Sequence, residues 1–185
     1  MTTSKQHQEE SAKLAAMIRD VPVATLTTRS GDGRLTTRPM VNVNSNFQGD
    51  LWFFTPDDDP KVADIANDPN VNACFAAVDA HRFVSASGRA ALTRDRKRIE
   101  LLWSEACEPW FDQGLDDPKL ALIRIDVEQA EYWDVNTSGA AAAKGYFKRL
   151  TGGKDELPVE HAAVDWSQSD ESAATTASPA AQRSQ

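Results

Sequence analysis

Cysteine and histidine are scarce. Cys74 lies in an apolar run and Cys107 in a helical one, and His7, His81 and His161 cluster neither with them nor with each other. That sets aside a structural zinc site and a Cys/His nucleophile. Two isolated thiols read as buried and free, which suits a reducing compartment, so a cytoplasmic location is expected. No stretch approaches the roughly 18 apolar residues of a membrane span, and the opening "MTTSKQHQEESAKL" lacks the apolar block of a secretory signal. Positive charge is also short, with 20 Lys and Arg against 28 Asp and Glu for a net charge of −8. From residue 151 onward Asp155, Glu156, Glu160, Asp165, Asp170 and Glu171 face only Lys154 and Arg183, so this stretch carries −4 and the body the other −4. Neither part has the basic excess of a nucleic-acid binder. There is no P-loop and no internal repeat, and "SGDGR" stands between strands rather than opening a helix, which argues against a Rossmann phosphate loop.

What remains is enough for one core: 185 residues, 41% hydrophobic. Residues 9–19 place Leu14, Met17 and Ile18 at helical spacing and stop before Pro22. Residues 21–135 read mostly as strands. "VPVATLTTR" and "LTTRPMVNVN" flank "SGDGR", where Gly31 and Gly33 can supply the positive φ of a hairpin. "LWFFT" follows Gly49, and "VNACFAAVD", "RFVSASGRAAL" and "LALIRIDVEQAEYWDV" complete the strands, with helices at 60–67, about 94–104 and about 139–150. The last is expected to end at Gly152 and Gly153. Residues 1–8 and the small, polar stretch 154–185 are expected to be disordered, which leaves 9–153 as the domain. Short strands joined by hairpins, with few helices, point to a small antiparallel barrel with helices packed outside.

Several residues invite a chemical reading. Alternation in "TTRPMVNVN" puts Val41 and Val43 on one face, read as core, and Arg38, Met40, Asn42 and Asn44 on the other. Arg38, beside the ladder-breaking Pro39, is either a solvated edge arginine or an anion contact. In "DLWFFTPDDDPKVADI", Asp59 is the expected N-cap and Pro60 the first helical residue. Lys61 then sits in the first turn, where the helix dipole is already positive. Thr55, the helix start and Lys61 could together hold a phosphate, or Asp57 to Asp59 could simply balance the lysine. Trp52, Phe53 and Phe54 have a plain explanation as packing. Gly88, inside "VSASGR" after Ser87, marks either a close approach or a bulge. Trp133, in "EYWD", is core, interface or a ring-stacking wall.

The order "RPM", "LWFFT…PK", "VSASG" and "EYWD" resembles the flavin-binding split-barrel proteins of the general stress protein group, relatives of pyridoxamine 5′-phosphate oxidase. The resemblance spans about residues 9–153, including "LTGG". It implies a mainly β fold with α: a six-stranded antiparallel, Greek-key-like split barrel with flanking helices, dimerising to bind FMN between subunits. On that reading Arg38, Pro39 and Met40 lie along the isoalloxazine and ribityl chain, and Trp52, Phe53, Phe54 and Thr55 form the neighbouring strand. Thr55 and Lys61 take the phosphate, Ser87 and Gly88 lie close to the cofactor, and Trp133 flanks the ring from the partner. FAD would use the same phosphate contacts. "KRLTGG" is not the arginine-leucine-x-proline ending of the oxidase, which counts against vitamin B6 oxidation. The implied function is a flavin-dependent oxidoreductase acting on a small molecule, with NADH or NADPH as candidate donor. A non-catalytic flavin store or sensor is the alternative, and a cofactor-free interaction barrel a third. A homodimer is implied, with Trp103, Trp110 and Phe111 as candidate contacts or ordinary core.

Overall fold

The computed structural model describes residues 4–135 and 159–166, with the side chains of 4–7 and Val159 excepted. The expected helix near 139–150 and its glycine cap lie outside the described residues. The first helix, α1, runs Ser4–Arg19, so order begins earlier than the expected boundary at residue 9. The correction has a simple cause: "SKQHQ" contains no glycine, proline or β-branched residue, and lysine and glutamine extend a helix readily. Its Leu14, Met17 and Ile18 are buried in the barrel core, as their spacing predicts.

Strands β1 (Val23–Arg29) and β2 (Leu35–Val41) form the expected hairpin. Only Gly33 of its two turn glycines has positive φ, at 86°. Then follow β3 (Asp50–Pro56), α2 (Pro60–Asn67), β4 (Asn70–Ala77), β5 (Arg82–Thr93), α3 (Arg96–Leu102), β6 (Leu120–Val135) and β7 (Val159–Asp165). They make one antiparallel sheet in the order β2-β1-β4-β5-β6-β3, with β7 added on β6. The sheet curls round a core that includes Leu26, Leu51, Phe53, Phe75, Val84, Ile123 and Ile125. A second apolar cluster forms outside β3 and β6, where Ile99 and Phe111 cover Leu120 and Leu122.

Alternation along β2 is as expected, but its inner side is inverted. Met40 (6% exposed) and Asn44 (5%) point inward, while Val41 and Val43 are half-buried on the other face. Asn44 is tolerated inside because every polar atom of its amide is used. Its Oδ1 accepts from Trp52 N at 2.6 Å, and its Nδ2 donates to Trp52 O and Asn42 Oδ1, both at 3.0 Å. The amide thus stands in for a strand partner and joins the end of the β2 segment to β3. Asn42 Nδ2 in turn donates to Ile18 O in the last turn of α1 and to Val21 O just beyond it, each at 2.7 Å.

The expectation of a disordered stretch from residue 154 fails over Val159–Trp166. β7 pairs with β6 from Gln129 to Val135, and Val164 is 1% exposed. Trp166 meets Phe47 edge-on with ring centroids 5.4 Å apart and packs against Gly49. Glu160 accepts from Tyr132 Oη at 3.0 Å and pairs with Lys13 of α1 at 2.6 Å. Low overall hydrophobicity hid a short strand that needs only two apolar anchors. Val164→Ala should therefore lower stability by about 1–2 kcal/mol, read as a shifted denaturation midpoint. Unprotected β7 amides in hydrogen exchange would mean that the strand is not docked.

Candidate functional site

The site is built where β2 passes the start of α2. Asp59 caps α2 as its position predicts, accepting from Lys61 N at 3.0 Å. The following proline and the helix start then turn Lys61 inward, where it is only 5% exposed. Its ammonium sits 2.6 Å from Asp59 Oδ2. Burial works against the charge on Asp59, but hydrogen bonds from the Lys61 side chain and amide, with the charges of Lys61 and Arg38, hold its carboxyl below the ordinary value. Arg38 reaches from β2 to the same helix. It pairs with Asp64 Oδ2 at 3.0 Å and donates to Thr28 Oγ1 at 2.7 Å, and Thr28 donates onward to Asp64 at 2.9 Å.

Both cations border one cleft of about 460 Å³. Pro39, Met40 and Val41 run along one side, and Phe54, Cys107, Trp110 and Phe111 contribute apolar wall. Phe54 is fixed edge-on against Trp103 at 5.4 Å and Phe111 at 6.3 Å. An ammonium has three N–H donors and a guanidinium five, so the pairs with Asp59 and Asp64 leave donors for an anion. A cationic end joined to an apolar, aromatic wall suits a planar group carrying an anionic tail.

Of the residues singled out from sequence, Arg38, Pro39, Met40, Phe54 and Lys61 line this cleft. Thr55 is adjacent but 1% exposed, its hydroxyl donating to Pro56 O at 3.0 Å. Phe53 faces the barrel interior, stacked on Phe75 at 6.5 Å. Trp52 borders another cleft, with the Arg98 and Arg124 guanidinium carbons 4.7 and 5.8 Å from its ring centroid. Ser87 lies on the outer sheet face, accepting from Asn72 Nδ2 at 3.0 Å. At Gly88 a Cβ would stand 2.0 Å from Asp126 O, and the β5–β6 register shifts between Ser87 and Gly88. Bulge and close approach are both present there, and the approaching group is β6 backbone. Trp133 stands far along β6, stacked on His161 at 5.2 Å. Asp64 was missed: an acid one turn beyond Lys61 on the same helix was the available signal.

Comparison with curated protein sequences finds no match. Solved structures do match. The general stress FMN/FAD-binding protein of Xanthomonas citri is 27% identical with a TM-score of 0.62, covering 81% of this chain and 99% of that one. General stress protein 26 of Bacillus anthracis is 21% identical with a TM-score of 0.61, covering 67% and 93% respectively, a likeness of fold. A Clostridium acetobutylicum protein related to general stress protein 26, of the pyridoxinephosphate oxidase family, has the same kind of fold at 17% identity and TM-score 0.60, covering 69% and 89%. The sequence pattern of the family described as pyridoxamine 5′-phosphate oxidase like matches residues 9–156, most of the chain. Pattern and fold agree, and the chain belongs to the pyridoxamine 5′-phosphate oxidase-like family.

Proposed function

We propose that the chain binds FMN in this cleft and acts, as a homodimer, as a flavin-dependent oxidoreductase on a small molecule. The observation that carries the reading is the convergence of Lys61 and Arg38 on one aromatic-walled cleft. Lys61 and Arg38 hold the phosphate, while Pro39, Met40 and Phe54 flank the ribityl chain and ring. FAD is accommodated if its adenylate projects outward. The flavin itself supplies the hydride chemistry; the chain binds, orients and shields it.

The dimer has support in the outer sheet face. Val23, Thr25, Thr37, Pro39, Cys74, Ala76, Ser85 and Ser87 make an uncharged, partly exposed surface, unlike the charged rim around it. The cleft reaches this face through Val23, Pro39 and Val41, so a second copy laid on it would wall the ring. Ser87 and Trp133, remote from the cleft in one chain, would then come to it from the partner. Two free thiols, Cys74 and Cys107, are in keeping with a cytoplasmic location.

The test is to denature the purified protein, identify the released cofactor by mass, and measure the native molar mass by light scattering. One FMN or FAD per chain in a dimer is the expected result. A protein that is colourless and takes up no flavin on reconstitution would refute the reading. Anaerobic reduction by NADH or NADPH, followed by acceptor screening, separates turnover from a store or sensor.

A further inference from the structure

Trp110 is 68% exposed, although the fold around it is tightly held. It ends the short 3₁₀ turn Glu105–Trp110. On one side of that turn Cys107 is 1% exposed, and on the other Phe111 is 4% exposed and packs against Trp103 at 6.0 Å. The turn is thus anchored at both sides while its largest apolar side chain is left out, on the wall of the cleft. An exposed indole on a cleft wall, with its turn anchored at both sides, calls for an occupant. The same segment carries Glu105, Glu108 and Asp112, all exposed and with no cationic partner among the described residues.

We propose that Trp110 is the platform for a second ligand, a planar aromatic cation. The indole face is electron-rich and attracts cations as well as stacking aromatic rings, and the three carboxylates add a negative field that repels anions. One cleft then takes two opposite charges: an anion at Arg38 and Lys61, a ring cation at Trp110. The proposal rests on the flavin reading for the cationic end, and it extends that reading to the class of substrate.

The experiment titrates flavin-loaded protein calorimetrically with N-methylquinolinium, quinoline and quinaldate, which share a ring system and differ in charge. N-methylquinolinium should bind tightest and quinaldate weakest. Trp110→Ala should weaken the cation about tenfold and FMN by clearly less, and Trp110→Phe should recover part of the cation loss. Failure of wild type to bind the cation overturns the proposal, as does equal binding of quinaldate or an unchanged cation affinity in Trp110→Ala. An equal loss of FMN affinity also overturns it, by putting the indole on the flavin. So does a lower molar mass of Trp110→Ala with cation binding intact, which assigns the indole to the subunit contact. If the chain takes up no flavin, the flavin reading fails by itself, and the same titration on flavin-free protein still decides the fate of Trp110.

Discussion

Lys61→Ala should weaken FMN binding by about one to two orders of magnitude and leave riboflavin binding unchanged. A charge-assisted contact to phosphate contributes roughly 1.5–3 kcal/mol, and each 1.4 kcal/mol is tenfold. The structure adds a second effect. Because the ammonium is buried beside Asp59 at 2.6 Å, the flavin-free protein should also lose about 1–2 kcal/mol, between the values for an exposed and a fully buried pair. Asp59 would still cap α2, since that role uses the backbone N–H of residue 61. Stability loss alone cannot tell the ligands apart, whereas the phosphate can, so the two affinities are compared at a temperature where both proteins are folded. Equal losses for FMN and riboflavin would sink the phosphate assignment. Arg38→Ala should add less than its separate effect, because both cations face one cleft.

Asn44→Ala should cost about 2–4 kcal/mol of stability. It strands the Trp52 N–H and C=O, and each buried polar group left unpaired costs about 1–3 kcal/mol. It also removes the Nδ2 donor to Asn42 Oδ1, although the backbone N–H of residue 44 still donates there, and so loosens the link to α1. For a chain of this size the thermal midpoint should fall by about 5–15 °C. Asn44→Asp keeps the acceptor for Trp52 N and loses the donor to Trp52 O, so it should fall between. A midpoint within a degree of wild type for Asn44→Ala would show that water replaces the amide and that the link between β2 and β3 is not structural.

Local chemistry was legible and facing was not. The start of α2 follows from Asp59, Pro60 and Lys61 through capping rules that involve only neighbours, and the α1 core residues follow from helical spacing. Along β2 the alternation was right while the buried side was wrong, because period two separates two faces without saying which meets the core. Asn44 decided that question through partners on β3, which no local pattern contains. The cleft was half legible: Arg38 and Lys61 carry charge out of place, but Asp64 and Trp110 come to the site only through packing. Gly88 announced a tight spot without naming its neighbour. β7 escaped notice because its pairing partner, β6, supplies most of what holds it.

That last strand changes where the sheet ends. Along one side of β6, β3 pairs with residues up to Asp126 and β7 takes over from Gln129. The two nearly meet, since Val127 N donates to Gly49 O and Trp166 N to Glu128 O. Without β7, the stretch from Gln129 to Val135 would offer a bare row of backbone donors and acceptors, a template on which another chain could add a strand. With it, the rim moves outward onto a short strand whose exposed positions include Glu160, His161 and Asp165. Charges spaced along a border discourage stacking by strangers. β7 therefore acts as a selvedge, finishing the fabric of the sheet so that its border does not run on into further pairing.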